Sequence, residues 1–169
     1  MRSLLLLTIG LAAAQFGPAL PGAQDAFSAQ QEKTIPGNNP MMLCDDVEVH
    51  EVTISSLDVL PNPPEPGSAL NIEAVGTVHK AVTNGSYVQV SVKWGYVGLL
   101  NQRFDLCDGL KEVNLSCPLA KGTQAHVTKQ VELPREIPPG KYHVEARAYS
   151  EDGEPLICLE ATVQMKLKV

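Results

Sequence analysis

Residues 87–96 read YVQVSVKWGY. In an extended chain Val88, Val90, Val92, Trp94 and Tyr96 fall on one side, and Gln89, Ser91 and Lys93 on the other. Strand side chains alternate between faces, so this stretch reads as a strand with one apolar and one wet face. The same period of two recurs on both sides of it. ALNIEAVGTV (69–78) groups Leu70, Ile72, Ala74 and Gly76, and YHVEARAY (142–149) groups Tyr142, Val144, Ala146 and Ala148. ICLEATVQMKL (157–167) groups Ile157, Leu159, Ala161, Val163, Met165 and Leu167. HVTKQVEL (126–133) gives Val127, Val131 and Leu133, interrupted by Lys129. VEVHEVTI (47–54) fits as the first strand, with a phase shift near Glu51 that a bulge there would explain.

Turn-forming stretches separate these segments: PNPPEPG (61–67), TNGS (83–86), PPGK (138–141) and EDGEP (151–155). The last lies between two alternating runs and predicts a hairpin. No long helical period is visible after the N-terminal region. Six or seven antiparallel strands, each with one apolar face, predict an all-β two-sheet sandwich.

The ends of the chain carry other information. Arg2, the run Leu4–Leu7 with Ile9 and Leu11, and then Ala12–Ala14 have the make-up of a secretory signal peptide, 1–14. The apolar run is too short to span a bilayer. Residues 15–39 are rich in Gln, Ala, Pro and Gly without a period, and read as a pro-segment or disordered lead-in. The domain itself is expected over 40–169. A secretory route ending in a vacuole or outside the cell permits disulfides. Four cysteines allow three pairings, and their number does not choose among them.

With Arg2 in the leader, 12 basic residues face 19 acidic ones, a net charge of −7. An acidic chain speaks against a nucleic-acid partner and against strong electrostatic attachment to anionic membranes. Motifs for enzymes are missing: no GxSxG, HExxH, P-loop or GxGxxG occurs. His50, His79, His126 and His143 lie far apart, and Cys107 and Cys117 lack the CxxC spacing, so no metal or cofactor is expected. Two sequons fall in expected turns or loops, at Asn84 and Asn114.

The order of the cysteines gives one simplest pairing. Cys44 precedes the first strand, Cys158 lies in the last, and Cys107 and Cys117 close a local loop. Joining Cys44 to Cys158 and Cys107 to Cys117 would restrict the unfolded chain by roughly 2–4 kcal/mol per link.

Three stretches carry a resemblance: MLCDDVEVHEVTISSLDVLPNPPEPGSALNIEAVGTV, CDGLKEVNLSCPLAKG and VELPREIPPGKYHVEARAYSEDGEPLICLEATVQMKL. With Cys117-Pro118, Leu133-Pro134 and the cysteine of the final strand, they resemble the ML family of lipid-recognition domains, from about residue 40 to the end. That family includes the Niemann–Pick-type sterol carrier and the fungal phosphatidylglycerol/phosphatidylinositol transfer proteins; the PNPPEPG turn and the lead-in are similar to the fungal branch. Animal sterol carriers have a third disulfide near the first strand, and no cysteines remain for it here.

The resemblance implies an immunoglobulin-like sandwich whose two sheets splay around an apolar cavity for lipid tails, with the stapled loop 107–117 near its mouth. It implies an intermembrane phospholipid-transfer protein, not an enzyme, carrying phosphatidylglycerol or phosphatidylinositol and touching membranes transiently. A sterol carrier of the same fold, a secreted immunoglobulin-like interaction module without a ligand, and a hydrolase whose site only folding assembles are the alternatives. A monomer is expected. Alternation nominates Val90, Val92, Trp94 and Val131 as lipid-binding; similarity to the family's cavity adds Leu99, Phe104, Leu133, Ile137 and Tyr142. Lys93, Arg103 and Lys141 are the headgroup candidates. The stretch WGYVGLLNQRF (94–104) lacks clear alternation and suits a cavity entrance that flexes.

Overall fold

A computed structural model describes residues 33–44, 46 and 50–166. The signal-peptide reading, most of the lead-in, Val47–Val49 and residues 167–169 lie outside them. Eight strands and one short helix are present among the described residues: β1 Met41–Leu43, β2 Val52–Leu60, β3 Ala69–Val78, β4 Tyr87–Trp94, β5 Val97–Asp105, α1 Leu106–Lys111, β6 Gln124–Glu132, β7 Gly140–Tyr149 and β8 Pro155–Met165. They form two antiparallel sheets, of order β1-β8-β7-β4-β5 and β2-β3-β6. Among the described residues no strand of one sheet is paired with a strand of the other, so side chains and the connecting segments hold these layers together. The expected sandwich is present.

The alternating stretches became β3, β4, β6, β7 and β8. EDGEP closes the β7–β8 hairpin, with Gly153 at φ 81° and Ser150 N–H donating to the Glu154 carbonyl at 2.9 Å. The helix α1 and two strands were not foreseen. The first of these strands is β1, only three residues long. The second is β5, which lies in the stretch read as irregular. The expected first strand also moves: pairing with β3 runs over Val52–Leu60, and the bulge falls between Ile54 and Ser56 rather than at Glu51.

Three apolar clusters fill the sandwich. Ile35, Leu57 and Val59 pack with Met41, Leu43 and Leu159, joining β2 to the β1–β8 edge of the other sheet. Ile35 belongs to the stretch expected as lead-in. Residues 33–39 dock on the domain: Leu57 N–H donates to the Pro36 carbonyl at 2.8 Å and Val59 N–H to Asn38 at 2.9 Å. A second cluster, Val78, Val82, Leu119, Ala148 and Leu156, fills one end of the sandwich with Leu106, Leu110, Cys117 and Ile157 against it. The third, Tyr142, Ala161, Val163 and Met165, lies toward the opposite end.

The disulfides are Cys44–Cys158, with Cα atoms 5.4 Å apart, and Cys107–Cys117, at 5.6 Å. The first ties β1 to β8. The second ties α1 to the loop that follows it. Beside Cys44–Cys158, the Cys158 N–H donates to Nδ1 of His50 at 3.4 Å.

This arrangement has a pH signature. Burial lowers the His50 pKa from 6.5, because the imidazolium loses water on folding. The hydrogen bond also needs Nδ1 free of a proton. The folded state therefore binds fewer protons than the unfolded one, and stability is full above pH 6.5 and falls below it. Glu145, held down by its hydrogen bonds from Arg147, adds a second loss beginning near pH 4.5. The denaturant midpoint is expected to fall between pH 7.5 and pH 5.5 (about a unit on either side of the His50 reference value). His50→Asn should flatten that slope. An unchanged slope would exclude His50 as its source.

Candidate functional site

The ends of the two sheets differ, and the difference creates a cavity. At one end, the second cluster closes the layers around α1 and the stapled loop. Toward the other end the sheets part around a cavity of about 810 Å³. The geometry of the larger sheet shows how its floor is built. Met41 pairs with Ala161, Ala161 with Val144, Val144 with Val92, and Val92 with Leu100. This one row crosses all five strands, and every member lines the cavity. Val163 and Tyr142 add the next row, and Val59, Leu70, Ile72 and Val131 of the smaller sheet form the roof. Leu133, Pro134, Glu136, Ile137 and Pro138 come from the β6–β7 connection.

A bulge explains the leucines of β5. Val92 faces Leu100 and Lys93 faces Gly98, so Leu99 is the extra residue. An extra residue breaks the alternation and re-aims its neighbours. Leu99 and Leu100, adjacent in sequence, therefore both line the cavity, and both are also exposed at its edge.

The wall is almost wholly apolar. Glu136, at the exposed rim, is its one charged side chain among the described residues. The Tyr142 hydroxyl does not turn inward as a free polar group; it donates to the Pro138 carbonyl at 2.9 Å. Such a surface offers no water-like partners and suits hydrocarbon. Lys129 interrupts the β6 apolar face because it sits on an edge strand and reaches across to Glu112, beyond α1, in an ion pair. That contact links the smaller sheet to the segment after β5 below the cavity.

Six of the nine lipid-binding candidates line the cavity: Val92, Leu99, Val131, Leu133, Ile137 and Tyr142. Three do not. Val90 sits one row further from the mouth, between Ala146 and Gln102. Phe104 pairs with Val88 in the row beyond and is exposed. Trp94 is 38% exposed and stacks on Tyr142 at the mouth end, with ring centroids 6.5 Å apart. The row pattern identifies members that the candidate set lacked, chiefly Leu100, Val144, Ala161 and Val163. Each shares a row with a nominated residue, a signal that needs strand register as well as alternation.

The headgroup candidates do not line the cavity either. Lys93 and Lys141 alternate outward at the mouth end. Arg103 lies over the ring of Tyr87, 3.4 Å from its centroid, on the outer face toward the closed end. The stapled loop is likewise corrected. Strand β5 begins at the mouth and ends at α1, so Cys107–Cys117 lies at the closed end, with Cys117 against the cluster that fills it. Asn84 and Asn114 are exposed in turns there, Asn114 at φ 60°. Two groups of side chains have metal-like proximity among the described residues; both include Cys44, whose sulfur is committed to a disulfide.

The E1_DerP2_DerF2 family model, described as the ML domain, matches residues 38–165. The chain belongs to the ML-domain family. Its relatives include the phosphatidylglycerol/phosphatidylinositol transfer protein of Neurospora crassa, 47% identical over 143 residues, covering 83% of this chain and 80% of that one. The Candida albicans protein of the same name is 45% identical over 134 residues, covering 79% of this chain and 69% of that one. Among solved structures, chicken MD-1 complexed with lipid IVa is similar in fold, with TM-score 0.51 and 21% identity, covering 77% of this chain and 94% of that one.

One contact at the rim of the ML domain is sharply constrained. Gly140 has φ 149°, and a Cβ there would lie 2.2 Å from Nε1 of Trp94. The half-exposed indole can swing away, but an L-residue cannot relax that backbone. Gly140→Ala is expected to cost about 1–3 kcal/mol. It should also shift the emission of the protein's only tryptophan as the indole leaves Tyr142. Unchanged emission and stability would contradict the packing of Trp94 over Gly140.

Proposed function

We propose that this ML domain is an intermembrane lipid-transfer protein that carries phosphatidylglycerol or phosphatidylinositol with its acyl chains in the inter-sheet cavity. The observation that carries the reading is the cavity itself: about 810 Å³ of nearly uninterrupted apolar wall, in a chain 39–47% identical to relatives named for that transfer. Val92, Leu99, Val131, Leu133, Ile137 and Tyr142 are the proposed tail contacts, with Leu100, Val144, Ala161 and Val163 beside them.

The mechanism is passive exchange. Each methylene withdrawn from water contributes roughly 0.8 kcal/mol. The bilayer interior and the cavity are both apolar, so moving a chain between them changes little. Uptake and release are then close to balanced, and no covalent step is required. A sterol would meet the same wall; its hydroxyl would find few partners other than Glu136. No helix among the described residues is long and apolar enough to cross a membrane, and both disulfides fit an oxidising compartment. The proposed setting is the secretory pathway, leading to a vacuole or the cell exterior, with the protein acting as a monomer. A test uses donor vesicles holding fluorescent phosphatidylglycerol or phosphatidylinositol and unlabelled acceptors. Catalytic amounts of protein should speed transfer of these lipids; acceleration of sterol alone would move the assignment to the sterol carriers.

A further inference from the structure

An apolar surface lies beside the cavity mouth. Strands β4 and β5 are joined by Gly95 and Tyr96 in a two-residue turn, Gly95 at φ 56°. The tip of this hairpin is apolar and, among the described residues, exposed. Tyr96 is completely exposed, Val97 is 56% exposed and Leu99 is 53% exposed, next to the half-exposed Trp94. A β-hairpin tip in water normally carries polar turn residues, and exposed apolar groups gathered at one place mark an interaction site.

Its position decides what it meets. Leu99 belongs both to this patch and to the cavity wall. Across the mouth, Leu60 at the end of β2 is 48% exposed, and its neighbour Val59 also lines the cavity. Exposed apolar groups therefore stand at the mouth end of each sheet as lips, and Leu99 makes the lip on β5 continuous with the cavity wall. Aromatic rings with a polar edge, such as Trp94 and Tyr96, favour the headgroup layer of a bilayer. Lys93 and Lys141 stand beside the tip, the backbone of the latter accepting from Gly95 N–H at 3.2 Å. Cations there would lie at the level of anionic headgroups.

We infer that the β4–β5 hairpin tip is the membrane-docking element: Trp94, Tyr96 and Val97 enter the headgroup layer of a bilayer and set the mouth against it. A lipid chain then passes from bilayer to cavity along Leu99 without crossing water. The inference rests on the proposed transfer function, because only a lipid cargo gives the mouth a reason to face a bilayer. A protein partner seated on the same lips would cover the path instead.

The test uses the full secreted protein and the double variant Tyr96→Asp/Val97→Asp. Neither residue lines the cavity. Circular dichroism and disulfide content check that the variant is folded. Flotation with phosphatidylcholine vesicles containing phosphatidylglycerol reads docking, vesicle-to-vesicle transfer reads function, and lipid extraction after loading from dispersed lipid reads the cavity. The expected result is that wild type floats, even at high salt, and the variant does not. Transfer by the variant falls roughly tenfold or more, while bound lipid per protein is unchanged. Equal flotation or equal transfer by the two proteins would overturn the docking assignment and leave the cavity reading intact. Wild type that floats but holds no lipid would overturn the transfer function instead. A concentration-dependent dimer of wild type, absent in the variant and unaffected by vesicles, would show that the patch meets a second copy of the chain and would also overturn the proposal.

Discussion

Val92→Trp is expected to abolish lipid uptake while leaving the protein folded with both disulfides formed. Val92 is the fourth of the five residues in the floor row, between Val144 and Leu100. Its side chain faces open space rather than a packed neighbour from the other sheet. An indole there fills volume that an acyl chain would use. Overpacking a filled core costs typically ~1–3 kcal/mol through strained rotamers, but a cavity absorbs much of that bulk. The contrast lies two residues away on the same face. Val90 is outside the cavity, so Val90→Trp should incur the ordinary overpacking cost and, where folded, still take up lipid. Uptake by extraction and stability by urea titration separate the two effects. A Val92→Trp protein that binds lipid at wild-type level would remove this row from the binding surface.

Loss of the Cys44–Cys158 link should give the largest change in stability. It joins residues 114 positions apart. Closing a loop of that length restricts the unfolded chain by about 4–5 kcal/mol on the chain-entropy account. A domain of this size holds only about 5–15 kcal/mol in total, so Cys44→Ala/Cys158→Ala should lose a large part of its stability. Cys107–Cys117 closes a loop of 10, for which the same account gives about 3 kcal/mol or less. Guanidinium titration of the two double variants measures both losses. A larger loss from the short loop would mean that native packing around Cys117, not chain restriction, is the main effect.

The alternation was legible because it follows from burying one face of a strand. It located β3, β4, β7 and β8 and thus the two-layer architecture. It failed where a bulge adds a residue. Leu99 puts two leucines in succession on the cavity side, so β5 looked irregular, and Ser55 does the same within β2. Missing β5 had a second consequence. A strand separates its two ends, and without it the Trp94–Leu100 stretch and the 107–117 loop seemed to be neighbours at one mouth. Ile35 was unreadable for another reason: a single apolar residue among polar ones has no period, and its burial depends wholly on the surface offered by Leu57 and Val59. The tail-binding residues follow the same logic. Alternation gave the face, but register across five strands was needed to tell Val92, in the cavity row, from Val90, outside it.

The most direct test of the account is native mass spectrometry of the secreted protein, followed by extraction and identification of any bound lipid. One lipid per chain is expected, released as phosphatidylglycerol or phosphatidylinositol, and none from Val92→Trp. A wild-type protein that is free of lipid and takes none up from vesicles would contradict the account, and the apolar space between the sheets would then need another occupant.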